Sequence, residues 1–181
     1  MKKKKKYDLY FIKEYRKHFY NYKDLYSWKI IKAQSIQESR LKPTAVSPVG
    51  AMGLMQIMPF TEKELAKKLN ISQEGSAFIP ELAIKMGVYY DYQLFNNWRS
   101  KRTLEDRYKL TFASYNAGLG NLLKAQKRCM LYAKEYNCAE HLRCNEYIFI
   151  EAFLYQITGH NSEETITYNK RIFKYYMQLI N

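Results

Sequence analysis

The sequence predicts an all-α fold organised as a single domain. With 181 residues, the chain has the usual length of one domain. Its apolar residues recur three and four positions apart in one segment after another, which is the spacing of a buried helix face. Neither a long alternating strand pattern nor a linker rich in Ser, Gly or Pro interrupts these segments. We therefore expect residues 7–181 to form one helical domain behind a flexible basic tail at residues 1–6.

Three helices are predicted in the N-terminal part of the chain. Residues 8–20 and 28–41 have helical spacing and are joined by a tyrosine-rich turn. Thr61, followed three residues later by Glu64, is a capping box, in which each residue satisfies backbone groups at a helix start. This motif predicts a third helix over 62–69.

Five more helices are expected in the rest of the chain. Pro80 suits the first turn of a helix, and apolar residues follow at helical spacing: Leu82, Ala83, Met86, Tyr90 and Leu94. Another helix begins at about Leu104 and ends near Gly118, a natural helix terminator. The last three are expected at about 119–136, 145–158 and 162–180, so that residues at about 119–163 form an extended helical segment.

Glu38 is the most informative single residue. It falls at helical spacing after three residues of one face: Trp28, Ile31 and Ser35. Pro43 disfavours helical angles in the residue before it, so the helix should end by about Lys42, with Glu38 near its C-terminus. Burial and the negative end of the helix dipole both disfavour an ionised carboxylate, and a protonated carboxyl group is what a general acid requires. Considered alone, a glutamate at a solvated helix end explains the pattern as well.

A glycine-rich segment follows this helix. Gly50 and Gly53 stand three residues apart among apolar residues, which indicates a backbone that turns tightly or approaches another group closely. Gln56 is polar in an otherwise apolar run, and a buried amide needs hydrogen-bond partners. A ligand rich in hydroxyls and amides would supply them. A tight loop that satisfies its own glutamine is the structural alternative.

Four blocks in order closely resemble the signature of the soluble lytic transglycosylases: Glu38-Ser39-Arg40 with Ser47, Gly50 to Gln56 with Pro59, Ser114 to Gly118, and Glu164 to Tyr168. The resemblance covers roughly residues 28 to 172. It implies a goose-type lysozyme fold that cleaves the glycan strands of peptidoglycan, with Glu38 as the catalytic acid and base. It also implies a set of substrate-site residues: Ser47, Gln56, Met58, Tyr115, Asn116 and the cleft carboxylate Glu164.

Two positions depart from the family pattern. Ser114 stands where Ala is usual, a change expected to be harmless, and Asn169 replaces the usual valine, which makes the last helix more polar there. The last two blocks also have plain structural explanations. Asn116 and Gly118 are ordinary helix terminators, and Glu164 can be a first-turn carboxylate in the favourable field of a helix N-terminus.

One well-placed carboxylate limits the mechanism. Ordinary glycosidases use two carboxyl groups that flank the bond. The enzymes that this chain resembles use one, which protonates the glycosidic oxygen and then activates the C6 hydroxyl of the same N-acetylmuramic acid, without metal or organic cofactor. Two alternatives remain open. One is a hydrolase in which Glu164 or an unidentified Asp directs water, and the other is a non-catalytic basic protein, structural or nucleic-acid-binding.

The formal net charge of +13, with an uninterrupted basic run at Lys2 to Lys6, indicates a polyanionic partner. The anionic bacterial wall or membrane surface fits this charge. No zinc-finger spacing, RNA-binding strand pair or Gly-rich phosphate loop supports nucleic acid. A solvated basic tail on a monomeric protein is the simpler explanation of the run itself.

The N-terminus lacks the features of a secretion signal. Charges interrupt the segment from Tyr7 to Glu14 before an apolar stretch of about 7–15 residues can form, and no run of about 20 apolar residues could span a membrane. We expect a protein made in the cytoplasm and delivered to the wall, as with a phage endolysin or virion-associated lysin. A mature form of an exported enzyme would have the same sequence features.

All three cysteines lie in the extended segment: Cys129, Cys138 and Cys144, with His141 among them. A Cys3His zinc site is conceivable, but the tight C-x2-C pair typical of such sites is missing. A Cys138–Cys144 disulfide is the second alternative for a protein that works outside the cytoplasm. Free thiols are the first expectation.

Overall fold

The computed structural model describes residues 5–22, 25–72, 74–138 and 143–181, so that Lys2 to Lys4 and His141 lie outside the described residues. The all-α prediction is confirmed, because the described ranges contain eight α-helices and no strand longer than an isolated β-bridge. The helices are α1 (Asp8–Phe19), α2 (Lys29–Ser39), α3 (Pro59–Lys68), α4 (Pro80–Asn97), α5 (Leu104–Ala117), α6 (Leu119–Glu135), α7 (Tyr147–Thr158) and α8 (Asn161–Ile180). None of these described helices combines the length and the apolarity that crossing a lipid bilayer requires.

The chain forms two compact units, with the boundaries inside α4 and α8. The first unit comprises the residues up to Tyr92 together with Arg171–Asn181, and the second comprises Gln93–Lys170. The first therefore holds α1 to α3 and the glycine-rich segment, and the second holds α5 to α7.

In the first unit, α1 and α2 are joined by apolar packing and by a buried charge pair. Phe11 and Phe19 of α1 are fully buried, as are Ile30 and Ile31 of α2. Lys32 is also fully buried, and its ammonium group pairs with Asp8 at the start of α1. A buried cation is tolerated only with such a partner, so this pair fixes the register of the two helices.

The core of the second unit comes from α5, α6 and α7 and is strongly apolar. Its larger members in these helices are Leu110, Leu122, Tyr147, Ile150, Phe153 and Leu154, and Trp98 joins them from the segment between α4 and α5. Thr103 caps the start of α5 by accepting a hydrogen bond from the Asp106 backbone N–H at 3.0 Å, and the Oδ1 atom of Asp106 accepts one from the Tyr147 N–H at 2.9 Å. The start of α5 is therefore tied to the start of α7.

The predicted start of α3 is wrong by three residues. The helix begins at Pro59, with Met58 as the N-cap residue, and Thr61 and Glu64 lie inside it. Proline at the first helical position has its φ preset for a helix and loses no backbone hydrogen bond there. This start signal takes precedence over the capping box at Thr61.

The expectation of free thiols is wrong for two of the three cysteines. Cys129 and Cys144 form a disulfide with their Cα atoms 5.8 Å apart, and Cys138 is free and half-buried. Cys129 lies on the buried face of α6, and Cys144 is buried in the segment that leads into α7. This pairing rules out the Cys138–Cys144 disulfide, and it removes two of the four ligands of the Cys3His zinc alternative.

Candidate active site

Glu38 lies in the last turn of α2, as the spacing predicts. The helix ends because Arg40 and Leu41 both adopt left-handed backbone angles, with φ of 53° and 58°, and the Arg40 N–H closes the turn on the Ile36 carbonyl at 2.9 Å. Ser35, one turn earlier, is fully buried, whereas Glu38 is half-buried. The carboxylate therefore stands where a buried helix face reaches the surface of the first unit.

The glycine-rich loop is fastened to the same turn of α2. The hydroxyl groups of Ser35 and Ser39 both donate to the Leu54 carbonyl, each at 2.9 Å. Leu54 itself is fully buried. Since Ser39 directly follows Glu38, these two bonds hold the loop against the helix end that carries the carboxylate.

Both glycines of the loop have positive φ, but only one is in close contact. Gly50 has φ of +85°, and a Cβ added there would meet nothing within 4 Å. Gly53 has φ of +71°, and a Cβ added there would lie 1.7 Å from the Ala77 carbonyl oxygen. The spacing predicts a tight turn or a close approach. Gly53 shows both, and Gly50 shows the turn alone.

The loop satisfies much of its own polarity. The Ser47 hydroxyl accepts from the Ala51 N–H at 2.9 Å, and the Gln56 amide nitrogen donates to the Ala45 and Gly53 carbonyls at 3.3 and 3.0 Å. The expectation that a ligand supplies the partners of Gln56 is therefore wrong for its amide nitrogen, because the loop's own carbonyls accept from it. Met58, at the N-cap of α3, is 42% exposed and free to meet a ligand.

The remaining predicted residues lie in the second unit. Tyr115 is half-buried in the last turn of α5. The Asn116 amide donates to the Glu164 carboxylate at 3.3 Å and accepts from the Thr165 hydroxyl at 2.7 Å. Asn116, Glu164 and Thr165 line a small polar cavity of about 240 Å³ together with Ala117, Asn121, Thr158 and Asn161. The structure thus brings Asn116 and Glu164 together, with Glu164 in the first turn of α8.

The two departures from the family pattern are buried and hydrogen-bonded. Ser114 is fully buried and accepts from the Trp98 indole N–H at 3.0 Å. Asn169 is 3% exposed, and its amide donates to the Lys109 carbonyl at 3.1 Å and to the Tyr147 hydroxyl at 3.0 Å. Asn169 thus joins α8 to α5 and α7 rather than adding polarity to an exposed helix face.

The sequence reasoning missed a buried polar pair beside Glu38. Gln34 and Asp91 are both fully buried, and the Gln34 amide donates to Asp91 Oδ1 at 3.2 Å. Burial raises the pKa of Asp91 well above its usual value, the Gln34 hydrogen bond opposes that shift, and the charge of Glu38 adds to it. A signal was available, since Asp91 continues a stripe at spacings of four and three: Ile84, Val88, Asp91, Phe95 and Trp98.

The all-α fold of the chain matches that of solved lytic transglycosylases. The structure of an inactive mutant of the lytic transglycosylase Slt from Pseudomonas aeruginosa has a TM-score of 0.69 at 24% identity, covering 97% of this chain and 24% of that chain. The 70-kDa soluble lytic transglycosylase of Escherichia coli has a TM-score of 0.61 at 22% identity, covering 93% of this chain and 24% of that one. These likenesses show the fold.

The family follows from the sequence match. The model of the Transglycosylase SLT domain matches residues 18–137, and the chain therefore belongs to this family. A curated relative, the membrane-bound lytic murein transglycosylase F of Histophilus somni, is 35% identical over 109 residues, which is 60% of this chain and 21% of that protein. The chain thus spans only about a fifth of the length of this relative.

Proposed function

We propose that the chain is a peptidoglycan lytic transglycosylase that cleaves the β-1,4 bond between N-acetylmuramic acid and N-acetylglucosamine, with Glu38 as its single acid and base. The observation that carries this proposal is the attachment of the Glu38 turn to the glycine-rich loop through the Leu54 carbonyl. That attachment gives the half-buried carboxylate a fixed backbone environment. Membership of the Transglycosylase SLT domain family supports the substrate class.

In the proposed reaction, the Glu38 carboxylic acid gives its proton to the glycosidic oxygen as the bond from C1 to that oxygen breaks. N-acetylglucosamine leaves with a free 4-hydroxyl group, and positive charge develops at C1 of the muramic acid. The Glu38 carboxylate then takes the proton of the C6 hydroxyl group, and O6 bonds to C1. The product is a 1,6-anhydro ring, no water is consumed, and Glu38 recovers its proton. Because the nucleophile belongs to the same sugar, the step has the advantage of an intramolecular reaction.

A hydrolase would need a second carboxylate to direct water. Asp91 is a carboxyl group whose pKa the charge of Glu38 raises, but it is fully buried and hydrogen-bonded to Gln34. A buried side chain of this kind cannot meet a substrate water molecule, so Asp91 does not supply the second carboxylate of a hydrolase.

The family resemblance also gives roles to the other residues. We propose that Ser47, Gln56 and Met58 present the glycine-rich loop to the glycan, and that Tyr115, Asn116 and Glu164 are also substrate-binding residues. Replacing Gln56 by Ala or Tyr115 by Phe should lower the rate without abolishing it. Each loses hydrogen bonds of about 1–3 kcal/mol. Wild-type rate and substrate affinity in both variants would remove these two residues from the site.

The decisive experiment combines Glu38→Gln with product analysis on purified sacculi. Glutamine keeps the shape of the side chain but cannot donate and recover a proton, so a folded Glu38→Gln protein should lose at least about 10²–10⁴-fold in cleavage rate. Mass spectrometry of the wild-type products should show anhydro-muramyl ends. Reducing ends would instead establish a hydrolase, and intact sacculi would leave a non-catalytic basic protein.

A further inference from the structure

The pair formed by Gln34 of α2 and Asp91 of α4 is buried but only partly hydrogen-bonded. Both side chains are 0% exposed, and one hydrogen bond joins them, from Gln34 Nε2 to Asp91 Oδ1 at 3.2 Å. Within the part of the chain that the structure describes, neither Gln34 Oε1 nor Asp91 Oδ2 has a hydrogen-bond partner. Two buried oxygen atoms without a donor are costly, and native structures rarely keep them.

A single proton on Asp91 Oδ2 gives both of these oxygen atoms a hydrogen bond. An ionised carboxylate only accepts hydrogen bonds, whereas a carboxylic acid also donates one. Protonated Oδ2 can donate to Gln34 Oε1 while Oδ1 accepts from Nε2, which gives a closed pair of antiparallel hydrogen bonds. Among the described residues, Asp91 also forms no salt bridge that would favour its ionised form. Full burial without a cation favours the neutral acid.

The pair lies about one helical turn before Glu38. Gln34 precedes Glu38 by four residues, so the two side chains belong to successive turns of one helix face. The negative charge of Glu38 also raises the pKa of Asp91, in addition to the larger effect of burial. The other titratable neighbour is Tyr90 on α4, whose pKa is raised first by burial and then by Asp91 and by Glu64 of α3. Burial and the charge of Glu38 both disfavour a charge on Asp91, and the opposing effect of the Gln34 hydrogen bond is smaller than that of burial.

We propose that Asp91 is a neutral carboxylic acid, paired through two hydrogen bonds with the Gln34 amide, and that this pair is a positioning element for Glu38. It locks the turn of α2 before Glu38 onto α4, and it leaves Glu38 as the carboxyl group there that changes charge during the reaction. The positioning role rests on the proposed function of Glu38, whereas the protonation state of Asp91 does not.

Asp91→Asn tests the protonation state through stability alone. Asparagine has the shape of the neutral acid and can make the same two hydrogen bonds with Gln34. In the wild type, the folded state holds a proton that the unfolded state releases above pH of about 4. Wild-type stability should therefore fall relative to Asp91→Asn as pH rises, by up to about tenfold in the unfolding equilibrium constant per pH unit until Asp91 ionises. Urea denaturation between pH 4 and 9 measures this ratio.

The sign of the slope decides the question. If Asp91 is ionised in the folded protein, Asp91→Asn loses stability relative to the wild type as pH rises. A ratio of the two unfolding equilibrium constants that does not vary with pH also overturns the neutral acid. Glu14→Gln is a matched control, because it makes the same change at another buried carboxyl group of the first unit, 3% exposed on α1, outside this pair.

Activity tests the positioning role. Asp91→Asn should keep the wild-type kcat, whereas Asp91→Leu, which cannot pair with Gln34, should lower kcat by about 10–100-fold with little change in KM, because a small displacement of Glu38 suffices. Wild-type kcat in a folded Asp91→Leu protein, or an inactive Asp91→Asn protein, overturns the positioning role. Activity in Glu38→Gln would instead overturn the proposed function and leave the stability result intact.

Discussion

Gly53→Ala is the most direct test of how the glycine-rich loop is held. Gly50→Ala is its matched control, because both residues have positive φ, +71° and +85°. A left-handed conformation costs an alanine about 1–2 kcal/mol at either position. Loss of unfolded-state entropy returns about 0.4–1 kcal/mol in both variants. In Gly50→Ala the entropy gain offsets part of the strain, so this variant should lose only about 1 kcal/mol in the free energy of unfolding. Because both effects are the same in Gly53→Ala, they cancel when the two variants are compared.

Gly53→Ala carries an additional penalty from a collision. Its new Cβ would lie 1.7 Å from the Ala77 carbonyl oxygen and 2.8 Å from the carbonyl carbon. Both atoms are backbone, so no side-chain rotation can relieve the contact and the loop must move by more than an ångström. Overpacking of this kind typically costs about 1–3 kcal/mol beyond the strain. We expect Gly53→Ala to lose about 3 kcal/mol in total.

Urea denaturation of the two variants measures the difference, and release of soluble muropeptides from sacculi measures activity. Gly50→Ala should remain active. Gly53→Ala should be inactive even where it is folded, because the displaced loop includes Leu54, which anchors the Glu38 turn. Equal loss of stability in the two variants would show that the loop does not approach Ala77, and the account of its attachment would be wrong.

Three further predictions concern other parts of the chain. Burial, and then the charge of Lys17, lowers the pKa of His18 to about 4, so unfolding takes up a proton as pH falls from 6.5 towards 4 and stability should drop. Because His18 is partly exposed, His18→Gln should remove only about 1–2 kcal/mol of that loss of stability. A wild-type protein that is more stable at pH 5 than at pH 7 would show that Glu14 pairs with a charged His18 instead. Cys129→Ser should lower the free energy of unfolding by about 3 kcal/mol under oxidising conditions, whereas Cys138→Ser, at the free thiol, should change it little. Lysis of sacculi should weaken as salt rises, since charges are screened over about 8 Å at physiological ionic strength, and deleting Lys2 to Lys6 should reduce binding to sacculi more than cleavage of short soluble glycan.

Much of the fold was predictable because helical periodicity is a local property. Apolar spacing, together with local start and stop signals, gave the approximate positions of the eight described α-helices, and Gly118 marked the end of α5 as expected. The start of α3 was missed because two start signals overlap and the proline takes precedence. The disulfide was missed for a different reason. Its partner choice depends on where α6 and the segment before α7 meet, and sequence spacing does not encode that distance.

The candidate site was predictable where a motif fixes the residue and unpredictable where partners come from elsewhere in the chain. The position of Glu38 at the end of α2 follows from Pro43 and the helical spacing. The loop carbonyls that accept from Gln56 agree with the alternative of a loop that satisfies its own glutamine. The partner of Ser114 could not be predicted, since its hydroxyl accepts from the indole of Trp98, which lies before α5. Asp91 was overlooked because its helix was traced through Leu82, Met86, Tyr90 and Leu94, which leaves Asp91 out. Only the packing of α4 against α2 shows it to be buried.

The double attachment at Leu54 also has a consequence for folding. Its two hydrogen bonds join residues only 19 and 15 positions apart, Ser35 and Ser39 with Leu54. Closing so short a segment loses little chain entropy, and contacts of low sequence separation form early in folding. The carboxylate-bearing turn and its loop can therefore assemble as a local unit before the C-terminal turns of α8 join the first unit. Substitutions that disturb this unit should slow refolding, whereas substitutions in the last turns of α8 should mainly speed unfolding.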